Sequence, residues 1–381
     1  MTAMITLTID GRTVKAVQGA TVLDAALGAG IEVPRLCHHP ELTPWGGCRL
    51  CLVEVEGKPA PAPSCGLAAA EGMVITTRSD RLQAYRREVF DLLLSDHPMR
   101  CAICEKAGNC DLQRYAYEFG LAESTHEMEF SRTLYQDDNA FFIRDHQYCI
   151  SCTRCVRVCD EIVGANAIEV AQRGFGSYIA TPFDAPLQET SCTFCGNCVQ
   201  VCPTAALVPV ERIGKGREWE LKRTRTVCPY CGTGCGLEVA TRNGQIVSVS
   251  GYPGASVNGE FLCTKGRFGL GFVHHPDRLR RPLVRRDLAY ALGMVADPPA
   301  ADVTHPPLGR TPVPAETHVE VDWEVALDLV ADRLAAVVMT HGPDAVAGIG
   351  SAQCTNEENY VFQKLMRGSI GTNNVDLCAR L

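Results

Sequence analysis

Residues 149–159 read CISCTRCVRVC, and residues 192–203 read CTFCGNCVQVCP. Both place four cysteines at C-x2-C-x2-C-x3-C, so the chain repeats one metal-binding run. That spacing is the bacterial two-cluster ferredoxin run, in which the fourth cysteine of each run ligates the other cluster. One 4Fe–4S cube is therefore expected on Cys149, Cys152, Cys155 and Cys202, and a second on Cys192, Cys195, Cys198 and Cys159. Pro203 follows the second run, whereas Asp160 stands at the matching place in the first; neither departure removes a ligand. Zinc is a poor alternative for a doubled run of this kind.

Working outward, nineteen of the 21 cysteines fall into short clusters, and Cys354 and Cys378 stand apart. Upstream, Cys37, Cys48, Cys51 and Cys65 form C-x10-C-x2-C-x13-C behind a strand–turn–strand, ITLTIDGRTVKAV, and a helix, ATVLDAALGAG, closed by Gly30. This order suits a β-grasp sheet with a cysteine loop at its edge. Four thiolates suit a 2Fe–2S centre, since each tetrahedral iron takes two protein sulfurs. The spacing differs from the plant-type pattern. His38 and His39 raise a Rieske site, but the second half reads Cys48-x2-Cys51 where C-x2-H is required, so both are assigned to packing or to the surroundings of the ligands. A four-cysteine zinc site is the other reading of this group.

HPMRCAICEKAGNC carries Cys101, Cys104 and Cys110 with no fourth cysteine nearby. His97, at H-x3-C-x2-C-x5-C, is the nearest candidate to complete a 4Fe–4S cube. A neutral histidine leaves the cluster one negative charge lighter and its potential higher. Downstream, VCPYCGTGCGLEV and FLCTKGRFG supply Cys228, Cys231, Cys235 and Cys263. A zinc ribbon could share this spacing; its place after four other clusters favours a further 4Fe–4S. Lys265, two residues beyond, is positioned either as a solvated lysine or as a bridge from cluster to a neighbouring redox group.

The chain has 381 residues, is 46% hydrophobic and carries a formal charge of −8, so an acidic surface excludes a nucleic-acid partner. No apolar run is long enough to span a bilayer. The opening residues alternate like a strand rather than a leader, and a reducing cytoplasm is expected, where cysteines ligate metal rather than form disulfides. Residues 287–317 read as a proline- and alanine-rich connector. VDWEVALDLVADRLAAVV then reads as a helix, DAVAGIGS as a buried strand and NEENYVFQKLMRGSIG as a helix, a fragment of an α/β layer. The loop between them, with Cys354, Thr355, Asn356 and Glu357, is a place where backbone amides can meet a nucleotide phosphate; Cys354 reads equally as a buried small residue.

Taken together, the chain resembles the N-terminal part of the large subunit of NAD-linked molybdenum or tungsten formate dehydrogenases, on CPYCGTGCG, CTKGRFG, SAQCTNEENYVFQKLMR and GTNNVDLCAR. Its first 212 or so residues also resemble the iron–sulfur subunit of complex I and the front of multi-cluster hydrogenases. The resemblance implies an α+β multidomain fold: a β-grasp 2Fe–2S domain over 1–79, a His(Cys)3 domain over 80–120, a two-cluster ferredoxin domain over 140–212, a molybdopterin-oxidoreductase 4Fe–4S domain over 221–277 and the start of a molybdopterin-binding α/β domain over 278–381. It implies one 2Fe–2S and four 4Fe–4S clusters, with Mo or W held by two pterin guanine dinucleotides. It also implies formate as substrate, Lys265 as the cluster-to-pterin relay, the loop at 354–357 on the pterin dinucleotide, and partners bearing flavin/NAD and a small 2Fe–2S centre. In the family the catalytic cysteine or selenocysteine follows the tripeptide matched by Ala379, Arg380 and Leu381. The expectation is therefore a UGA codon after Leu381, with a frameshift, sequencing break or pseudogene as alternatives, and no formate oxidation by these 381 residues alone. The competing expectations are a complex I or hydrogenase electron-transfer subunit, a nitrate-type molybdopterin enzyme and a zinc-rich scaffold.

Overall fold

The computed structural model describes residues 3–127, 132, 135–136, 139–297 and 317–377. It divides into two units, Met1–Thr226 with Leu237–Phe268, and Val227–Gly236 with Gly269–Leu381.

The first unit opens with β1 (Met4–Ile9) and β2 (Arg12–Val17), an antiparallel hairpin. Asp10 and Gly11 turn it with φ of 49° and 76°, the paired left-handed geometry that an Asp-Gly hairpin turn supplies. α1 (Val22–Gly28) starts at Thr21, whose hydroxyl accepts the Asp24 amide at 3.1 Å while the Asp24 carboxylate takes the Thr21 amide at 3.1 Å. This reciprocal cap satisfies two orphan donors of the first turn. β3 (Leu52–Val55), β4 (Ala62–Pro63) and β5 (Val74–Thr76) complete a sheet of order β2-β1-β5-β3-β4, with β1 and β5 parallel. Leu7, Ile9, Val14, Leu23, Val53 and Ile75 are buried between sheet and helix, as the alternation of β1 and β2 predicts.

α2 (Asp80–Leu94) and α3 (Asp111–Phe119) pack Phe90, Leu94, Leu112 and Tyr115 against Leu36 and Leu50 of the cysteine loop. The Tyr115 hydroxyl accepts the Arg35 amide at 2.9 Å, closing that seam. The repeated run sits among short elements: β6 (Tyr135–Gln136), β7 (Phe142–Asp145), α4 (Arg154–Arg157), β8 (Glu169–Ala171), β9 (Tyr178–Ala180), α5 (Asn197–Val201) and β10 (Leu207–Pro209). β10, β7 and β6 form one sheet, and β8 and β9 a hairpin. β11 (Lys222–Val227), β12 (Gly236–Arg242) and β13 (Gln245–Ser250) form another, and α6 (Thr264–Phe268) follows.

The second unit begins with β14 (Leu283–Arg285), α7 (Arg286–Ala291) and β15 (His318–Glu320), the strands pairing antiparallel. The expected connector therefore starts as a helix with Ala289 buried, because RDLAYA contains good helix formers before the prolines begin; residues 298–316 lie outside the described residues. α8 (Trp323–His341), β16 (Gly348–Gly350), α9 (Asn356–Lys364) and β17 (Val375–Leu377) follow, with β16 and β17 parallel. The helix–strand–helix expectation holds in order. The strand is shorter than DAVAGIGS and Ile349 is 77% exposed, since a short turn at Pro343–Ala345 uses the first residues. Among the described residues no helix is long and apolar enough to cross a membrane.

Candidate metal centres

Cys37, Cys48, Cys51 and Cys65 are all buried in the loop beside β3. The Leu36 and Cys37 amides donate to the Cys48 sulfur at 3.5 Å, and the Cys48 amide donates to the Cys37 sulfur at 3.5 Å. The four thiols fall into two pairs. A hydrogen bond from Cys48 holds the Cys37 thiol down near about 5 against the opposing effect of burial, and one from Cys65 holds Cys51 near about 7. Two pairs of sulfurs are what two tetrahedral irons require. Arg86, 1% exposed, donates to the Leu50 and Leu52 carbonyls at 3.0 and 2.7 Å, clamping both sides of Cys51. His38 is buried, and His39 lies 3.1 Å from the Glu260 carboxylate; the packing role expected for both is what their surroundings allow.

A small cavity is lined by His97, Cys101, Cys104 and Cys110 together. His97 is 6% exposed, and its Nδ1 is buried without a hydrogen-bond partner. An orphaned buried ring nitrogen is costly unless something binds it. Burial, reinforced by Arg132, lowers its pKa to about 4, so the ring is neutral and able to ligate. Cys110 also caps α3, its sulfur accepting the Gln113 amide at 3.5 Å. Arg217 donates to the Cys104 carbonyl at 2.8 Å and the Ala102 carbonyl at 2.6 Å, fixing the loop from outside.

All eight cysteines of the repeated run line one cavity. The repeat extends to the backbone. Ser151 and Phe194, each two residues past the first cysteine, have φ of 50° and 52°, and Thr153 and Gly196 have φ of 59° and 71°. These left-handed residues turn amides inward: Ser151 donates to the Cys149 sulfur at 3.3 Å and Phe194 to the Cys192 sulfur at 3.4 Å. Such bonds stabilise a cluster's negative sulfurs. Burial pushes the Cys149, Cys152 and Cys155 thiols up, and Cys202 pushes them further; burial and then Cys195, together with Cys159, do the same to Cys192. Cys202 is thus an electrostatic neighbour of the first run and Cys159 of the second, while Cys198 also acts on Cys155. Thiols this reluctant to ionise need a nearby cationic metal to release their protons. Among the described residues no three His, Cys, Asp or Glu side chains converge as tightly as a single ion demands, whereas a cube places each thiolate on its own iron at a separate corner.

Cys228, Cys231 and Cys235 lie in the second unit, where the Cys228 amide donates to the Cys235 carbonyl at 2.8 Å; Cys263 lies in the first. Lys265 is exposed on α6. In the second unit the Gly232 amide donates to the Ala352 carbonyl at 2.8 Å. A side chain at Gly232 would meet that carbonyl at 3.3 Å, so the cysteine loop and the 351–355 loop touch backbone to backbone. Thr355 caps α9: its hydroxyl accepts the Glu358 amide at 3.3 Å and its amide donates to the Glu358 carboxylate at 2.7 Å. Asn359 donates to the Cys354 and Thr355 carbonyls at 3.4 and 3.1 Å. Glu358 and Asn359, absent from the sequence expectation, therefore shape this loop; the S/T-x-x-E cap signature was their available signal. Asn356 and Glu357 stand exposed in the first turn. Cys378 and residues 379–381 lie outside the described residues.

The chain matches a 2Fe-2S iron-sulfur cluster binding domain over residues 2–80, the NADH-ubiquinone oxidoreductase-G iron-sulfur binding region over 86–125 and the ferredoxin-like domain of NADH-quinone oxidoreductase subunit 3 over 142–208. A molybdopterin oxidoreductase Fe4S4 domain matches over 221–275 and a molybdopterin oxidoreductase over 278–381. The NADPH-Fe(3+) oxidoreductase subunit alpha of Geobacter sulfurreducens is 38% identical over 378 residues, 99% of this chain and 40% of that protein. An NADH-quinone oxidoreductase-G protein of Rhizobium meliloti is 38% identical over 380 residues, 99% of this chain and 40% of that protein. A Staphylococcus aureus protein named provisionally as a formate dehydrogenase is 29% identical over 415 aligned residues, 99% of this chain and 39% of that protein. The chain thus spans about two fifths of the length of these relatives. A chain of an NAD+-reducing NiFe-hydrogenase, solved in the H2-reduced state, superposes with a TM-score of 0.53 at 32% identity, covering 56% of this chain and 91% of that one. Taken in order, the matched regions are those of the molybdopterin oxidoreductase family over residues 221–381, behind an N-terminal region of the NADH-quinone oxidoreductase-G kind.

Proposed function

We propose that this chain carries the electron wire of a formate-oxidising molybdopterin enzyme, with electrons passing singly through five clusters toward NAD by way of flavin-bearing and small 2Fe–2S partner subunits. The carrying observation is the single cavity lined by all eight cysteines of the repeat. Eight thiols around one cavity support a pair of cubes, and the His97 cavity and the paired thiols of the first loop in the same unit support further centres. Each centre accepts one electron, so a row of them suits a two-electron site elsewhere in the protein. The molybdenum or tungsten group, when bound, supplies the two-electron chemistry. In this reading the cysteines and His97 hold the clusters, the inward amides of Ser151 and Phe194 stabilise their charge, and Lys265 serves as the relay to the pterin. Formate is supported by the CTNEEN loop, by Lys265 and by the provisionally named Staphylococcus relative.

A second reading has its own support. The relative named for NADPH and Fe(3+) is 38% identical against 29% for the Staphylococcus protein, which favours a pyridine-nucleotide oxidoreductase without formate chemistry. Anaerobic expression of the complete gene with its neighbours separates the two. Formate-dependent dye reduction supports the first reading. Its absence from a protein with full cluster and pterin content, alongside NADPH-dependent reduction, supports the second. For this chain, iron and sulfide near eighteen of each per molecule would match one 2Fe–2S and four 4Fe–4S clusters; zinc in their place would sink the wire.

A further inference from the structure

Arg267 lies on α6, four residues after Cys263, and is 2% exposed. Each of its three guanidinium nitrogens makes a hydrogen bond. Nε donates to the Cys195 carbonyl at 3.0 Å, Nη1 to the Gln200 side-chain oxygen at 2.8 Å and Nη2 to the Asn197 side-chain oxygen at 3.0 Å. Every one of these acceptors is neutral. No carboxylate lies within ion-pair distance of it among the described residues. Glu260 is held by Gln200 at 3.4 Å and by His39 at 3.1 Å, and acts on the guanidinium only from beyond ion-pair distance. Glu211 acts on it from further away, and burial pushes that carboxyl up to about 7, so it is only partly charged at neutral pH. Burial lowers the Arg267 pKa to about 10, which still leaves a cation.

A buried cation with satisfied hydrogen bonds and no counter-ion is expensive, because hydrogen bonds to neutral oxygens do not replace the solvation of a full charge. The chain has shaped itself to keep it. Gly196, at φ +71°, sits under the side chain: a Cβ there would lie 2.4 Å from the Arg267 Cδ and 2.7 Å from the Phe268 ring. Thr264 donates to the Thr193 carbonyl at 2.6 Å, and the Leu262 amide donates to the Asn197 side chain at 3.0 Å. The segment 262–268 is thereby stapled along the loop that carries Cys192, Cys195 and Cys198. What that loop offers a cation is a group of thiolates on iron, which carries net negative charge and gains one more on reduction.

We propose that Arg267 is the counter-charge of the cube on Cys192, Cys195, Cys198 and Cys159, a positioning residue that raises the reduction potential of that cube above what its ligands alone would set. The proposal rests on the electron-carrier reading above. Its physical basis is that a fixed cation in a poorly screened site favours the more negative, reduced state of its neighbour. The neutral cradle of Asn197 and Gln200 holds the charge in place without cancelling it.

The test is an anaerobic redox titration of the full chain by electron paramagnetic resonance, with Arg267→Gln and Arg267→Lys beside wild type. The signal that disappears in Cys195→Ala identifies the cube. The expected result is a downward shift of that signal in Arg267→Gln, none in the others, and a potential close to wild type in Arg267→Lys. Equal shifts in both variants, or no shift with all signals at full intensity, overturn the proposal. If Arg267→Gln fails to hold the cube, Arg267→Lys decides: a retained cube at wild-type potential supports a charge role, and its loss makes Arg267 a structural clamp only. A wild-type chain with no cluster signal at all would instead overturn the electron-carrier reading.

Discussion

The β-grasp region and the ferredoxin-like region both gather cysteines, but different things fill their interiors. In the first, Leu7, Ile9, Val14, Val22, Leu23, Val53 and Ile75 pack sheet against helix, with only Cys51 and Cys65 of the ligands joining that core. In the second, α4 and α5 span four and five residues, and eight cysteines line one cavity. Helices that short have no stability of their own. The first region has a hydrophobic core to which a cluster is attached at the edge. The second packs its cluster ligands against a smaller core that includes Phe142, Ile168, Leu187 and Leu207, so metal binding there contributes to folding free energy.

Iron removal is the sharpest way to break this contrast. Chelation under reducing conditions should strip hydrogen-exchange protection from residues 142–209, while β1, β2 and α1 keep theirs. Simultaneous loss in both regions would show that the β-grasp core also depends on metal. Replacing His97 probes the intermediate case. His97→Ala should cost one 4Fe–4S signal, whereas His97→Cys should keep the cluster and move its potential downward, since a thiolate adds negative charge; an unchanged spectrum in His97→Ala would remove it from the ligand set.

Smaller changes test the β-grasp core directly. Leu23→Ala, at a site with no exposure, should cost about 2–5 kcal/mol in denaturant unfolding and leave the ferredoxin signals intact. His146 tests the other region through pH. Burial lowers its pKa from 6.5 to about 4, with Arg144 and Arg132 acting in the same direction. Below about 6.5 the unfolded chain binds a proton that the folded chain refuses. The contribution is therefore whole above pH 6.5 and is lost as pH falls toward 4, roughly 3 kcal/mol at the limit. His146→Gln should flatten that part of the pH–stability curve; an unaltered slope would assign it elsewhere. The mildest change is Thr21→Ala, which removes the α1 cap and should cost about 1 kcal/mol, read as a small fall in the unfolding midpoint of the β-grasp region alone.

Much of the candidate site was legible because metal ligation constrains spacing along the chain. A cube needs three sulfurs within one tight loop, so C-x2-C-x2-C can be read without knowing the fold. The β-grasp hairpin was legible for a similar local reason, through alternation and the Asp10-Gly11 turn. Less was legible where partners are remote. Nothing near Arg267 in CTKGRFG marks it as buried against Cys195, because its partners lie about seventy residues upstream. The same holds for Arg86 over Leu50 and for Arg217 over Cys104. In the second unit, the strand expected over DAVAGIGS contracted to Gly348–Gly350, since its only described pairing partner is the short β17.

By itself, then, the sequence determined which side chains are candidate metal ligands by type and spacing, that the ferredoxin run is doubled, and where α1, α8, α9 and the first hairpin lie. These depend on interactions a few residues apart. Only the tertiary structure decided that His97 shares a cavity with three cysteines, that the eight ferredoxin cysteines line one chamber, that Glu358 and Asn359 shape the loop after β16, and that a buried arginine without a counter-ion rests on the second ferredoxin loop. Those arrangements are set by which surfaces exclude water together, and that is a property of the folded chain rather than of any stretch of it.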